Sequence, residues 1–266
     1  MKLEEMAGYW ALVTGASSGI GREFCLQLAR ASINLVVVAR RRELLDDLAR
    51  YVEISFGVKC VVLVEDLSVP GASGRIRAAL VASDICVRLL INNASAGPWG
   101  RFEKKSAAEF EANVQLVMGT PVAMCREFLP DLSVFPTSVI INLSSPAALQ
   151  PIPYKAVYSA AKTGLHYFSL ALYQEWQDKG IYVQTLMPGP TRSELDEKGG
   201  AYKSALAELR RSPSEIVALS LRLLDGNTPF VTSAEGTYKQ RVFTGLFPIK
   251  FVLKTVAKMF YPPDSR

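Results

Sequence analysis

Short, continuous apolar runs alternate with stretches of helical pattern along this chain, and that alternation leaves few folds open to it. The runs are YWALVT (Tyr9 to Thr14), NLVVVAR (34–40), KCVVLVE (59–65), VRLLINN (87–93), SVIINLSS (138–145) and IYVQTLMPG (181–189). Runs that are apolar throughout, not only at every second residue, predict strands buried on both faces. Helical patterns fall between them, from about Gly19 to Ala31, from Arg42 and from about Ala72. Strands that alternate with helices predict an α/β fold, a doubly wound central parallel sheet flanked by helices.

The 266 residues carry no internal repeat and no low-complexity linker, so residues 1–266 are read as a single domain. Order weakens from about Thr191 to Lys239, where Gly199, Gly200 and Pro213 interrupt helical segments. That stretch, about 191–239, is either a lid over a substrate site or a surface excursion. A hydrophobic content of 49% with 21% charged residues is that of an ordinary globular protein. The net charge of +5 is mild and spread out; it does not argue for nucleic acid and fits an anionic ligand equally well. Cys25, Cys60, Cys86 and Cys125 form no C-x-x-C pair and read as small buried hydrophobes in a reducing compartment. The single histidine, His166, excludes a multi-histidine metal site and reads as a packing or surface residue. The N-terminal stretch lacks the basic and apolar parts of a signal peptide, and no apolar run reaches about 18 residues. A cytoplasmic protein is expected.

The stretch TGASSGIG (14–21) joins the first strand to the first helix. Gly15 permits a tight turn, Gly19 lets a phosphate approach the backbone, and Gly21 permits close packing of helix on sheet. The free amides and positive dipole end of the helix, around Ser17, Ser18 and Ile20, suit a pyrophosphate. The spacing is G-x-x-x-G-x-G, not the more usual G-x-G-x-x-G. After the second strand stand Ala39, Arg40, Arg41 and Arg42, with no acid before Glu43. A carboxylate there would hold a ribose 2′-hydroxyl, whereas a guanidinium suits a 2′-phosphate. Arg40 is assigned to the cofactor, and Arg41 and Arg42 to a solvated helix start; the cofactor expected is NADP(H), ahead of NAD(H).

Tyr158 and Lys162 in YSAAK are four residues apart and share a helix face. A nearby ammonium lowers a tyrosine pKa from its usual value near ~10. With these motifs in order along the chain, it resembles the short-chain dehydrogenase/reductase family of Rossmann-type enzymes from about Ala11 to Gly189, and more loosely beyond. The motif residues are Gly15, Gly19 and Gly21; Asp66 in VEDLS, followed by Leu67; Asn92, Asn93 and Ala94, with Ser95 in place of a glycine; Asn113; Ser145; Tyr158 and Lys162; and Pro188, Gly189 and Thr191. The resemblance implies NAD(P)-dependent hydride exchange with a carbonyl or secondary alcohol. In it Tyr158 donates the proton while NADPH delivers hydride, Ser145 holds the substrate oxygen, and Asn113 links Lys162 to solvent through a water. Lys162 lowers the tyrosine pKa and contacts the nicotinamide ribose. Asp66 would touch the adenine and Thr191 the carboxamide; Asn93, Ala94, Pro188 and Gly189 complete the cofactor set. Ser144, one residue off on a strand, faces the other way and is read as structural. A homodimer or homotetramer is expected by resemblance only.

Pro146, Leu149, Pro151, Ile152 and Tyr154 suggest an apolar pocket mouth for a hydrophobic ketone, such as a 3-oxoacyl thioester, a steroid or a xenobiotic, although ordinary loop packing reads equally well. Arg192, Lys198, Lys203, Arg210 and Arg211 do not form a clear coenzyme A site. The segment 241–263 is amphipathic: Lys250, Lys254 and Lys258 recur every fourth residue, with Val252, Leu253, Val256, Met259 and Phe260 on another face. It packs on the domain or on a second subunit, or it makes a peripheral membrane contact. A non-catalytic dinucleotide-binding sensor of the same fold is the alternative function.

Overall fold

The computed structural model describes residues 2–189, 191, 211–233 and 245–260. Its seven strands are β1 (Trp10–Thr14), β2 (Asn34–Ala39), β3 (Cys60–Val64), β4 (Val87–Asn92), β5 (Ser138–Leu143), β6 (Ile181–Met187) and β7 (Phe230–Thr232), in the order β3-β2-β1-β4-β5-β6-β7. Every pairing is parallel, for example Leu12 opposite Val36 and Leu90, and Ile140 opposite Val183. The helices are α1 (Gly19–Arg30), α2 (Arg42–Phe56), α3 (Ala72–Ala82), α4 (Ala107–Val114), α5 (Thr120–Leu132), α6 (Ala156–Glu175), α7 (Pro213–Arg222) and α8 (Ile249–Met259).

The strands are apolar throughout because both faces are covered. Ala11, Val13, Leu35, Val37, Leu89 and Ile91 point to one side, where Phe24 and Leu28 of α1 and Leu45 and Leu48 of α2 pack on them. Leu12, Val36, Val38, Leu90, Ile140 and Val183 point to the other, against Ile76 and Leu80 of α3 and Phe128 and Leu132 of α5. The strand order reverses between β1 and β4, and ligands of open parallel sheets sit outside the strand ends at such a point.

Part of the segment read as lid or excursion, 191–239, is corrected. Among its described residues, α7 buries Ile216, Val217 and Leu221 in the core that holds α1, and β7 extends the sheet beyond β6. Pro213 starts α7, where a missing N–H costs nothing, and Ser212 and Glu215 close a capping box at its N-terminus. Residues 192–210 and 234–239 lie outside the described residues, and Arg192, Lys198, Lys203 and Arg210 with them. Several strands end slightly short of the expected runs; β5 stops at Leu143, so Ser144 and Ser145 lie just past it.

Candidate active site

The glycine turn leaves β1 at the reversal point. Gly15 has φ +66°, and a Cβ there would stand 2.7 Å from Asn93 Nδ2 and 2.9 Å from Ala94 Cα, so only glycine fits. A Cβ on Gly21 would collide with Gly15 O. Gly19, with φ +56°, opens α1, and Ser18 before it makes no side-chain cap, so the first amides of α1 face the turn uncapped by it. That gap and the glycine cradle fit the pyrophosphate of a dinucleotide. Ile20 is half-buried and packs on the core beneath the turn.

Asn93 does more than its place in the motif implies. Its Nδ2 donates to Thr14 O at 2.8 Å and to Gly15 O at 3.3 Å, and Thr14 Oγ1 accepts from the amides of Asn93 at 2.9 Å and Ala94 at 3.1 Å. The ends of β1 and β4 are thus tied together by side chains, and the turn is held open in one shape. Asp66 accepts from the amide and hydroxyl of Ser68 at 2.9 and 2.7 Å; these bonds, ahead of the nearby Arg40, pull its carboxyl below the usual range. Leu67 is buried, with its carbonyl bound by Thr120 Oγ1 at 2.6 Å.

Of the three arginines, Arg41 departs from the solvated helix start expected for it. Arg40 is 73% exposed and lies 3.8 Å from Asp66 across the surface. Arg41, assigned to a solvated helix start, reaches back to the glycine turn. Its Nη2 donates to Ser17 Oγ and Ser18 Oγ at 2.9 Å each. The sequence signal was present in three consecutive arginines, but which side chain turns back depends on the strand-to-helix corner, which sequence does not fix.

Tyr158 stands in the first turn of α6 and Lys162 one turn later, with Nζ 5.8 Å from the tyrosine ring centre. Lys162 is 2% exposed, donates to Leu143 O at 2.6 Å, and burial brings its pKa down to about 7. Ser144 Oγ donates to the carbonyl of Lys162 at 2.9 Å, confirming a structural part for that serine. Ser145 Oγ accepts the amide of Ala147 at 3.1 Å and keeps its own proton for another oxygen. Asn113 is buried near the end of α4; its Nδ2 donates to Ala96 O at 2.7 Å, while its Oδ1 has no partner among the described residues. A π-helical stretch, Gln115–Gly119, follows at once, a distortion frequent at functional sites. The loop that Asn113 holds carries Gly97, which lies against the Tyr158 ring. Pro188 and Gly189 follow β6; Gly189 N donates to Ser233 Oγ at 3.2 Å, and Thr191 Oγ1 donates to Gly189 O at 2.8 Å.

The expected pocket mouth is partly corrected. Ile152 is covered, packed with Ala147 under Val252 and Val256 of α8, and so does not line an opening. A pocket is lined instead by Pro98, Trp99, Phe102 and Phe110 together with Tyr154 to Val157, the residues just before Tyr158. Phe102 and Phe110 stack at 4.8 Å. The residues 98–110 could have been picked out by their aromatics, but nothing in their spacing showed that they line a pocket.

Fold, turn and tyrosine–lysine pair together define a dinucleotide-binding α/β protein. The sequence matches the short chain dehydrogenase family over residues 9–203, and the chain belongs to that family. It is 32% identical over 186 residues to a very-long-chain 3-oxoacyl-CoA reductase from Anas platyrhynchos, covering 68% of this chain and 59% of that one. It is equally 32% identical, over 188 residues, to an inactive hydroxysteroid dehydrogenase-like protein 1 from Pongo abelii, covering 68% of this chain and 55% of that one. The chain therefore spans less than two thirds of the length of these curated relatives. A solved short-chain dehydrogenase from Sphingobium yanoikuyae, in complex with NADPH, superposes with a TM-score of 0.79 at 25% identity, covering 97% of this chain and 98% of that one.

Proposed function

We propose that this chain is an NADP(H)-dependent oxidoreductase that interconverts a carbonyl and a secondary alcohol on an apolar substrate. The observation that carries the reading is the buried Lys162 beside Tyr158, at the end of the strand that delivers Ser145. When bound, the nicotinamide supplies or accepts the hydride. The chain's own residues handle the oxygen and the proton. Tyr158 gives its phenolic proton to the carbonyl oxygen, and Ser145 donates a hydrogen bond to the same oxygen as it gains negative charge. Protonated Lys162 favours the phenolate that remains. Asn113 keeps the loop carrying Gly97 against the tyrosine ring, and its open Oδ1 suits a water on the route from Lys162 to solvent.

The glycine turn, Arg40 and Arg41 would hold a dinucleotide with a 2′-phosphate, and the NADPH of the Sphingobium structure supports that choice. The aromatic wall of Trp99, Phe102 and Phe110 supports an apolar substrate, and the 3-oxoacyl reductase among the relatives supports an acyl ketone within that class. The test is consumption of NADPH and NADH across a panel of aliphatic, acyl and steroid ketones, beside cofactor titrations. NADPH-dependent turnover of an apolar ketone is the expected result. A second reading, a dinucleotide-binding protein without turnover, is favoured by the relative named inactive. Tight NADPH binding with no turnover of any ketone supports that second reading.

A further inference from the structure

One face of the sheet changes character just below the site. Leu90, Ile140 and Val183 lie side by side on β4, β5 and β6, and all three are buried in the apolar cluster on that face. Two residues further along each strand, the same face carries Asn92, Asn142 and Thr185, again side by side in register. They are 3%, 0% and 0% exposed. Asn92 Nδ2 donates to Asn142 Oδ1 at 2.8 Å and to Cys125 Sγ of α5 at 3.8 Å. Asn142 Nδ2 donates to Ser169 Oγ of α6 at 2.9 Å, and the buried Ser169 Oγ donates to Leu165 O at 2.7 Å. An apolar row like the one before it would fill the same space with no amides to satisfy, and a buried amide is costly unless it is bonded. What a satisfied polar row adds is a single allowed arrangement.

The element so arranged is α6. Asn142, Leu143 and Ser144 are consecutive, and each binds that helix. Asn142 does so through Ser169, Leu143 through its carbonyl, which accepts Lys162 Nζ at 2.6 Å, and Ser144 through its hydroxyl, which donates to Lys162 O at 2.9 Å. Lys162 and Ser169 are seven residues apart, two turns along one face of α6. Two grips at that spacing fix both the height of the helix and its rotation about its axis, which one grip cannot do. The grip at Lys162 includes the ammonium that a cofactor ribose would also engage, so it changes when a ligand arrives. The grip at Ser169 has no group in the site and holds α6 throughout.

We propose that Asn142, acting through Ser169, is a positioning residue: it sets the height and rotation of α6 on β5, and so where Tyr158 and Lys162 stand relative to Ser145. The effect on turnover rests on the function proposed above; the seating of Lys162 does not, and it is read in the cofactor-free protein. The test is a double-substitution cycle followed by thermal melts below about pH 7, where the buried ammonium carries its full cost. Lys162→Met should raise the melting temperature there. In a Ser169→Ala background that gain should be smaller, because a loosened α6 lets the ammonium reach water. Asn142→Leu, which removes the amide and keeps the side chain's bulk, should reduce the gain in the same way. Ser212→Ala weakens α7, on the other face of the sheet, and should leave the gain unchanged. With a reducible ketone in hand, Ser169→Ala should lower kcat roughly tenfold to a hundredfold while KM for the ketone hardly changes, as expected for a catalytic group displaced by up to about an ångström. The proposal is overturned if the gain from Lys162→Met is the same with and without the Ser169 hydroxyl, or if Ser212→Ala reduces it as much, for the bond would then hold the fold and nothing more. It is overturned too if Lys162→Met gains nothing in the unmodified chain, or if Ser169→Ala keeps full kcat. A protein that shows the coupling and reduces no ketone would sink the function proposed above and leave this seating of Lys162 standing.

Discussion

Lys162 is a cation placed where burial works against its charge, and the consequence can be given a sign. Its folded pKa, about 7, lies below the 10.5 of a solvated lysine. Between those values the unfolded chain binds more protons than the folded one, so the lysine's contribution makes stability rise with pH through that window. Below about 7 the penalty is fully present. Lys162→Met removes it, and should raise the melting temperature of the cofactor-free protein most at pH 6 to 7 and little near pH 10. The upper bound on the gain is ~1.4 kcal/mol for each pH unit that separates the two values. Thermal melts of both proteins across that range check it; a flat difference would mean that the ammonium is solvated. The same variant should lose turnover, which separates what the residue does for chemistry from what it costs the fold. Tyr158→Phe makes the complementary case: it deletes one oxygen, should leave cofactor affinity intact, and should slow hydride transfer by ~10²–10⁴-fold. Cofactor quenching beside steady-state rates separates the two effects, and retention of most of the rate would place the proton donor elsewhere. Arg40 and Arg41 differ in a way that affinity can resolve. Arg41→Ala should weaken NADPH roughly ten- to a hundredfold while hardly changing NADH, as expected for one charge-assisted phosphate contact of ~1.5–3 kcal/mol. If Arg40→Ala alone has that effect, the phosphate rests on Arg40, as the order of residues after the second strand suggests. Spacing named Tyr158, Lys162, Gly15 and Gly21 because their tasks depend on local geometry. It could not show Asn93 as a clamp, since that depends on two strands adjacent in space but 79 residues apart in sequence.

At the scale of elements, six strands were legible because each is a continuous apolar run with helices on both sides. β7 was not, being only three residues long at the sheet edge. α7 escapes notice for a different reason: Pro213 looks like a breaker, although Ser212 before it and Glu215 after it form the start signal of a helix. The π-helical turn after Asn113 has no periodicity of its own and depends on how α4 and α5 are packed. The cap on α7 has a measurable weight. Ser212 Oγ accepts Glu215 N at 3.3 Å, and Glu215 returns a bond from Ser212 N at 3.0 Å. Because α7 packs on α1, with Gln27 Nε2 donating to Ser214 O at 3.0 Å, fraying there should be felt in the main core. Ser212→Ala should therefore cost ~1 kcal/mol in equilibrium denaturation, and Ser212→Asp much less. Equal losses from both substitutions would show that the cap is not what holds this end.

Over the whole molecule, the apolar side chains divide unequally. Two large clusters fill the two faces of the sheet and share it, so they should open together. Among the described residues the third is small: Ala147, Ile152, Val252 and Val256, with Tyr158 and Phe260 at its margin. The amphipathic pattern of this C-terminal helix was readable in the sequence, but its partner was not, because Ile152 and α8 meet only after some hundred residues of intervening chain. So few buried groups cannot bind α8 with the free energy that holds the sheet, and its release should be a local opening well below global unfolding. Amide hydrogen exchange should then be faster across Val252 to Val256 than across β1, β4 and β5 by several orders of magnitude. Val256→Asp would put a carboxylate against Ala147 and Ile152, and should bring α8 to the exchange rate of unfolded chain while leaving β4 and β5 protected. The same variant should uncover one side of Tyr158. If protection of β4 and β5 fell in step with that of α8, the helix would belong to the global cooperative unit and not to a separable cover over the tyrosine.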